Sequence, residues 1–340
     1  MLILYFDNGN RPIFRSSFTE SGIECQSWFR RGFSLLPYRF YEHMGFLRRL
    51  KNRLIHWYPH GRAHELIVVF DTKIPSFYLR KLAKHNPQAK IVVWCWNEIK
   101  PAEKLLEKAG STDVWSYSPS DCTQYGLRYN PQFYFDSIVK RHAESTKAQS
   151  PQGERGFLFM GRKKGREQQL ADIASKIREA GWTCEVEFFE GSHNECSEGV
   201  IPTTPYELTV ERTLGFQGIL DVAAAQDSGL SLRVMESMFF HKKLITTNPV
   251  VARYDFFDEN NIYIWGHSDK SLEEFLALPY RPVSASVARY YLISAWAARL
   301  EAAYGLGPVV AAATPPHGAM QPQGARPSHG ADSQTEEDPQ

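Results

Sequence analysis

Positive charge collects at one strand-to-helix turn in the second half of the chain. The apolar run Phe157–Met160 leads into Gly161–Arg166, in which four residues are Lys or Arg, and a helical pattern follows. Cations are unfavourable at a helix N-terminus unless an anion offsets them, because free N–H groups already give that end partial positive charge. A solvated basic turn is the alternative, and the sequence leaves both readings open. The candidate anion ligands in this turn are Arg162, Lys164 and Arg166.

A second polar set surrounds a short helical segment further along the chain. Gly229 lies where a loop enters the segment, and Arg233 and Glu236, three residues apart, share one helix face near its start. The arginine can bind phosphate, and the carboxylate can accept hydrogen bonds from a ribose diol. A surface salt bridge between the two is the alternative. The rest of the helix is apolar, which favours a position in which the charged pair lines a cleft. Asp221 and Asn248, which end neighbouring apolar runs, complete the set.

Three acidic residues follow predicted strands in the first half. Asp7 follows the first strand, and Asp71 and Glu98 follow the apolar runs Leu66–Phe70 and Ile91–Trp96. Ligands of open α/β sheets bind at the carboxyl ends of the strands, so each acid is a candidate general base. Asp7 is the first choice. For any single one of them, the role of a loop or helix cap is favoured over catalysis.

Apolar runs alternate with helical patterns along most of the chain. Runs that are apolar on both faces suit buried parallel strands, so the alternation predicts a doubly wound α/β architecture. The predicted strands are Leu2–Phe6, Leu66–Phe70, Ile91–Trp96, Val114–Tyr117, Gly156–Met160, Cys184–Phe189, Gly218–Val222, Lys243–Thr246 and Ile262–Trp265. The predicted helices are Pro75–His85, Pro101–Gly110, Arg166–Ala180, Leu232–Phe240, Ser271–Leu276 and a long closing helix, Ser284–Tyr304.

Length and local composition predict two domains. The chain has 340 residues, which suits two domains of about 100–200 residues each. Residues 143–155 are polar and patternless, which is typical of a linker between domains 1–142 and 156–308. Residues 309–340 mix Ala, Pro, Gly, Gln and His, and this composition predicts a disordered tail.

Composition excludes several classes of protein. Apolar residues make up 43% of the chain and aromatic residues 13%, which excludes disorder throughout. Five widely spaced cysteines without a CxxC argue against a disulfide framework or a zinc site, and no other residues have metal-ligand spacing. No signal peptide and no apolar stretch of about 20 residues is found. We therefore expect a cytoplasmic protein with no metal and no bound cofactor.

Several of these motifs together resemble one family. The segment Gly218–Asn248, which contains Gly-Ile-Leu-Asp-Val and Leu-Arg-Val-Met-Glu, resembles the donor-binding segment of bacterial GT-B glycosyltransferases of lipopolysaccharide and capsule synthesis. Phe157–Arg166, Tyr254–Ile264, Val92–Asn97 and Asp113–Cys122 are similar to other parts of such proteins. Together these segments cover most of residues 66–266.

The resemblance implies a fold, a reaction and residue roles. It implies two facing Rossmann-like domains, with a nucleoside-diphosphate sugar mainly on the C-terminal domain and the acceptor on the N-terminal one. Glu236 matches the acid on the donor ribose, and the diphosphate is expected near Arg162, Lys164, Arg166 and Arg233. The implied reaction transfers a sugar to a lipid-linked or growing surface polysaccharide, and such enzymes usually need no metal.

One departure from the family pattern leaves the stereochemistry open. Many GT-B donor sites carry a Glu-x7-Glu pair, but Ser228 stands where the first acid would precede Glu236. A carboxylate on the donor sugar cannot be assigned, and both retention and inversion stay possible. Another nucleotide-sugar enzyme, such as an epimerase-like protein, is the runner-up. A dehydrogenase is disfavoured because no GxGxxG follows a strand.

A basic and aromatic segment, residues 11–62, is a candidate surface for contact with the acceptor. It carries ten Lys or Arg against three Glu, interleaved with aromatic residues. This composition suits the anionic inner membrane surface, where a lipid-linked glycan would lie, and predicts peripheral association there. It also suits single-stranded nucleic acid, a third and less favoured reading, because the second half has no matching basic stripe. An ordinary basic domain face is the remaining alternative.

Overall fold

The computed structural model describes residues 1–5, 15–27, 64–71, 74, 77–97, 99, 102–143, 153–189, 200–201, 206–223 and 229–306. Within these residues the strands form two six-stranded sheets in which all pairs are parallel. The α/β architecture predicted from the sequence is therefore confirmed. Two parallel sheets are also the arrangement that the GT-B resemblance implies.

The first sheet is built from the N-terminal half of the chain. Its strands are β1 Leu2–Tyr5, β2 Glu24–Ser27, β3 Leu66–Phe70, β4 Lys90–Cys95, β5 Asp113–Ser116 and β6 Arg128–Tyr129. Its helices are α1 Arg15–Glu20, α2 Tyr78–His85, α3 Ala102–Ala109, α4 Pro119–Tyr125 and α5 Asp136–Arg141. The strand order is β2-β1-β3-β4-β5-β6. Alternate residues of β3 enter two different apolar clusters, so both faces of the sheet are covered, which is why this strand is apolar throughout.

The second sheet is built from the C-terminal half. Its strands are β7 Glu154–Gly161, β8 Thr183–Phe189, β9 Val200–Ile201, β10 Phe216–Asp221, β11 Lys243–Thr246 and β12 Ile262–Ile264. The helices are α6 Glu167–Glu179, α7 Tyr206–Leu214, α8 Leu232–Phe239, α9 Leu272–Ala277, α10 Ala285–Tyr290 and α11 Ile293–Ala302, and a 3-10 helix spans Pro249–Arg253. The strand order is β12-β11-β10-β7-β8-β9.

The prediction of a single closing helix, Ser284–Tyr304, is wrong. The structure has two helices, α10 and α11, separated by Tyr291 and an extended Leu292. The break has a partner in the first half: the N–H of Tyr134 donates to the carbonyl of Tyr291 (2.7 Å), and the N–H of Ile293 donates to the carbonyl of Tyr134 (2.8 Å). This strand-like bridge replaces the hydrogen bonds that a continuous helix would make.

Helix α11 returns the end of the chain to the first sheet. Trp296 is fully buried, with its ring 4.9 Å from that of Trp94 on β4 and 4.7 Å from that of Phe133. Just after the helix, the hydroxyl of Tyr304 accepts from the indole of Trp115 (2.9 Å) and donates to Asp113 (2.8 Å). The core of the first sheet is therefore completed by residues from the far end of the sequence.

Some sequence predictions fall outside the described residues. Asp7, Glu98, most of the predicted linker (residues 144–152), the predicted tail (residues 309–340) and residues 11–14 and 28–62 of the basic segment belong to this group. Among the residues that the structure does describe, no helix combines the length and the apolar character needed to cross a bilayer.

Candidate anion site at the second sheet

The order in which the chain adds strands to the second sheet reverses between β7 and β10, and this position is called the switch point. From β7 the chain proceeds to β8 and β9 on one side, whereas β10, β11 and β12 lie on the other. The loops that follow β7 and β10 therefore diverge and leave a crevice at the carboxyl edge of the sheet, where open α/β sheets bind their ligands. The two polar sets predicted from the sequence follow these two strands.

Arg166 lies in this crevice, at the end of the loop after β7. Only 9% of the residue is exposed. Its Nη1 donates to the carbonyl of Val222, just after β10, and its Nη2 donates to the carbonyl of Arg162 (2.9 Å). The side chain thus spans the switch point. Burial, and then the positive charge of Arg233, lower the pKa of Arg166 to about 10.

Arg233 enters the same crevice from helix α8. Its Nη1 lies 3.3 Å from Oδ1 of Asp221, the last residue of β10. Its ion pair is with Asp221 and not with Glu236, so the surface salt bridge considered from the sequence is not the arrangement found. Asp221 is already fully engaged, because it also accepts hydrogen bonds from Ser231 (3.0 Å) and Thr246 (3.1 Å).

The two guanidinium groups converge beside Gly161. A Cβ placed on this glycine would lie 3.0 Å from Nη2 of Arg233 and 3.1 Å from Nη2 of Arg166. Both groups also pack against the ring of Phe159, at 4.8 Å for Arg166 and 4.9 Å for Arg233. Two cations that share one neighbouring carboxylate leave a net positive charge, which suits an anion.

The Nε atoms of both arginines strengthen this interpretation. Each is buried and has no hydrogen-bond partner in the described part of the chain. A buried guanidinium donor without a partner is costly, which is typical of a site completed by a ligand. The side chain of Arg233 is 21% exposed, so a ligand can reach the pair.

The turn between β7 and α6 adds backbone donors and further cations. Helix α6 has 13 residues, and its N-cap, Arg166, makes no side-chain capping hydrogen bond, so its first N–H groups stay available to an anion. Lys164 adopts a left-handed backbone (φ 54°), which is uncommon for a residue other than glycine. Arg162 and Lys164 are exposed on this turn. Their contact with the diphosphate stays a prediction.

Glu236 lies deeper than the two arginines. Its residue is 3% exposed, and its Oε1 accepts a hydrogen bond from the hydroxyl of Tyr206 (2.5 Å). Burial raises the pKa of Glu236 to about 7, against the lowering effects of the Tyr206 hydrogen bond and of Arg233. The predicted ribose contact remains a prediction, and a ribose would have to compete with Tyr206 for this oxygen.

Gly229 and Asn248 shape the loop that precedes α8. The side chain of Asn248 donates to the carbonyl of Gly229 (3.3 Å) and accepts from the N–H of Val250 (3.1 Å), so it fixes the loop and caps the 3-10 helix. A Cβ on Gly229 would lie 2.4 Å from the ring of Tyr117, which follows β5 in the first half. Gly229 is therefore one point at which the loops that follow strands of the two sheets come into contact.

Alanine at Gly229 is expected to destabilise the protein by about 1–3 kcal/mol, because its methyl group overlaps Tyr117. Urea unfolding measures the loss. Gly215→Ala is the comparison, and it should cost less, since a Cβ there meets a single backbone oxygen at 3.2 Å and no ring. Adding Tyr117→Leu should cost less in the Gly229→Ala background than in the wild type. Additive costs would contradict the contact.

Asp71 occupies the corresponding switch point of the first sheet, between β1 and β3. It follows β3 directly, and its Oδ1 accepts a hydrogen bond from the N–H of Trp96 (3.0 Å). Burial raises the pKa of Asp71 to about 7, against the lowering effect of backbone hydrogen bonds. The indole of Trp96 stacks on Phe70 (5.2 Å between ring centres). The structure thus places a carboxyl group with a raised pKa at this edge.

Three residues of the site were not among the sequence-based candidates: Phe159, Gly161 and Tyr206. A glycine that ends an apolar strand just before a basic turn is a signal that could have identified Gly161. Phe159 is indistinguishable from a core residue in the sequence. Tyr206 is 30 residues from its partner Glu236, and no local pattern connects them. No group of three or more His, Cys, Asp or Glu suited to a metal ion occurs among the residues described.

Comparisons with known proteins give weak similarities to solved structures. One is the lipopolysaccharide outer core galactosyltransferase WaaB in its apo form, with 15% identity, a TM-score of 0.43, and coverage of 82% of this chain and 89% of that chain. Another is a DNA-modifying beta-glucosyltransferase, with 13% identity, a TM-score of 0.36, and coverage of 82% and 92%. No protein-family model matches the chain, and no curated protein matches it. With both TM-scores below 0.5, the functional argument depends on the residues of this chain.

Proposed function

We propose that the protein is a glycosyltransferase that takes a sugar from a nucleoside-diphosphate sugar bound at the second sheet. The paired guanidinium groups of Arg166 and Arg233 beside Gly161 carry this proposal. Two planar cations that converge on one point match the geometry of a diphosphate, which arginine binds through two parallel hydrogen bonds.

The same groups can serve the chemical step. When the glycosidic bond to the diphosphate breaks, negative charge grows on the leaving oxygen. Fixed cations and an uncapped helix N-terminus stabilise that charge without reorganisation. Arg166 and Arg233 are held by backbone carbonyls and Asp221, so they are preorganised for this role. The chemistry can then proceed without a metal ion, as the family resemblance also implies.

The acceptor side of the proposal lies on the first sheet. Asp71 is the base that we assign to the described part of this half, since it follows β3 at the point where the strand order reverses and burial raises its pKa to about 7. The approach of Tyr117 to Gly229 supports a reaction centre between the two carboxyl edges. A lipid-linked or growing surface glycan as acceptor, and attachment to the inner membrane surface through residues 11–62, complete the proposal.

Removing either arginine tests the donor site. Arg166→Gln and Arg233→Gln should each weaken the binding of a nucleoside diphosphate by about 10- to 100-fold, since each loses charge-assisted hydrogen bonds worth about 1.5–3 kcal/mol. Calorimetric titration with UDP, GDP, dTDP and inorganic pyrophosphate measures this. Arg233→Lys keeps the charge but loses the planar fork, so it should fall between the wild type and Arg233→Gln.

The control is Arg289→Gln, which removes an exposed arginine on α10. It should leave nucleotide affinity unchanged. Equal nucleotide affinity of the wild type and the Arg166→Gln and Arg233→Gln variants would show that the donor site does not lie in this crevice. Binding of RNA or DNA with strong salt dependence, and no binding of any nucleotide, would favour the nucleic-acid reading.

A further inference from the structure

A chain of three hydrogen-bonded side chains crosses from the first half to the second beside the arginine pair. Tyr134, in the segment after β6, stacks its ring on Phe239 of α8 (5.4 Å between ring centres). Its hydroxyl lies 3.1 Å from that of Tyr206, which reaches Glu236 at 2.5 Å. Tyr206 is placed as the donor to both partners but has a single hydroxyl proton, so Glu236 and Tyr134 compete for it. The chain therefore connects the first half to the helix that carries Arg233.

The groups around the carboxyl group of Glu236 have opposite effects on its ionisation. The groups that face it are Tyr206 on α7, Tyr134 from the first half, Arg233 on its own helix and Asp221 on β10. The hydrogen bond from Tyr206 and the charge of Arg233 favour the ionised form, whereas burial and Asp221 favour the protonated form. A small change of charge beside Arg233 therefore changes the protonation of Glu236.

We propose that Glu236 is a positioning residue of the nucleotide site, which acts through Tyr206 and Tyr134 on the contact between the two halves. This inference rests on the proposed function. An ionised Glu236 accepts a charge-assisted hydrogen bond from Tyr206, about twice as strong as a neutral one. A diphosphate on Arg233 cancels the charge that favours ionisation. Nucleotide binding therefore draws a proton onto Glu236, weakens its hydrogen bond with Tyr206 and shifts the hydroxyl proton of Tyr206 towards Tyr134.

Proton uptake on binding tests the role of Glu236. UDP, GDP and dTDP are titrated at pH 7 by calorimetry in two buffers of different protonation enthalpy. Because burial raises the pKa of Glu236 to about 7, the wild type should take up a fraction of a proton more than Glu236→Gln. Subtracting the variant removes the titration of the nucleotide's own phosphate. Equal uptake by the two proteins would overturn the proposal.

Two tyrosine variants separate this role from a purely structural one. Tyr206→Phe should lose most of the uptake, since it removes the hydrogen bond that lowers the pKa of Glu236 and favours its ionised form. Tyr280→Phe is the matched control, because its buried hydroxyl donates to the carbonyl of Ser237 (3.3 Å), next to Glu236 but not to its carboxyl group. It should keep the uptake of the wild type. Wild-type uptake in Tyr206→Phe would count against the proposal.

A second measurement needs no ligand. Urea unfolding of Tyr134→Phe, Glu236→Gln and the double variant should give non-additive losses, since both changes break one chain of hydrogen bonds. Additive losses would overturn the connection. If neither a nucleotide nor pyrophosphate bound the wild type, the proposed function would fail, and with it the role of Glu236 at that site. Nucleotide binding without proton uptake would instead overturn only the present inference.

Discussion

Replacing Trp296 by alanine should destabilise the protein by about 3–5 kcal/mol, the usual cost of removing a buried aromatic side chain. Trp296 is fully buried and contacts Trp94 and Phe133 through its ring. Its backbone carbonyl also accepts from the side chain of Asn130 (3.2 Å), so helix α11 is held on the first sheet by packing and by a hydrogen bond. The loss should therefore fall mainly on the first sheet.

Urea unfolding gives the size of this effect, and hydrogen exchange gives its place. Amides of β3 and β4 should lose more protection than those of β10 and β11. Leu208→Ala is the control, since Leu208 is 50% exposed and its loss should change the free energy of unfolding by less than about 0.5 kcal/mol. Equal loss of protection in both sheets would show that α11 stabilises the two halves alike.

The order of strands and helices was largely predictable because it depends on local patterns. Leu66–Phe70 and Lys243–Thr246 were predicted with the bounds found, since the first is a run of apolar side chains and the second contains Leu244 and Ile245 between polar residues. Strands β2, β6 and β9 and helices α1, α4, α5 and α7 were missed. Strand β2 is the mostly polar sequence Glu-Cys-Gln-Ser and β6 has only two residues, so neither contains an apolar run.

The closing helix shows the limit of local patterns. Its residues favour one helix, and only the backbone bridge to Tyr134, more than 150 positions earlier, interrupts it. The placement of Trp296 against the first sheet is of the same kind, because its partner Trp94 lies about 200 positions away. Contacts between distant segments leave no trace in the period of either segment.

In the candidate site, too, local patterns predicted some features and contacts between distant segments determine the others. A basic turn after a strand predicted Arg166, and a polar helix start predicted Arg233, and the structure brings both to one point beside Gly161. The state of Glu236 was not predictable, because Tyr206 and Tyr134 determine it from other elements. The sequence identified residue types suited to a nucleotide, whereas their charge balance came from tertiary contacts.

The pH dependence of stability should reveal what Asp71 does. Burial raises its pKa from 3.8 to about 7. Between these values the folded protein holds a proton that the unfolded chain has lost, so stability falls as the pH rises through this window. Asp71→Asn removes that dependence. The variant should match the wild type below about pH 4 and exceed its stability by roughly 4 kcal/mol above pH 7. Urea unfolding from pH 4 to pH 8 measures the difference in unfolding free energy between the two proteins. Glu236 is present in both, so its contribution to the pH dependence cancels in that difference.

The same variant separates a catalytic role from a capping role. Asparagine keeps the oxygen that accepts from the N–H of Trp96, so a capping function survives the change. A general base does not survive, and sugar transfer should fall by about 10²- to 10⁴-fold while nucleotide affinity stays unchanged. A variant that is both more stable and fully active would make Asp71 a cap. A more stable, inactive variant would show that the protein keeps a costly buried carboxyl group for its chemistry.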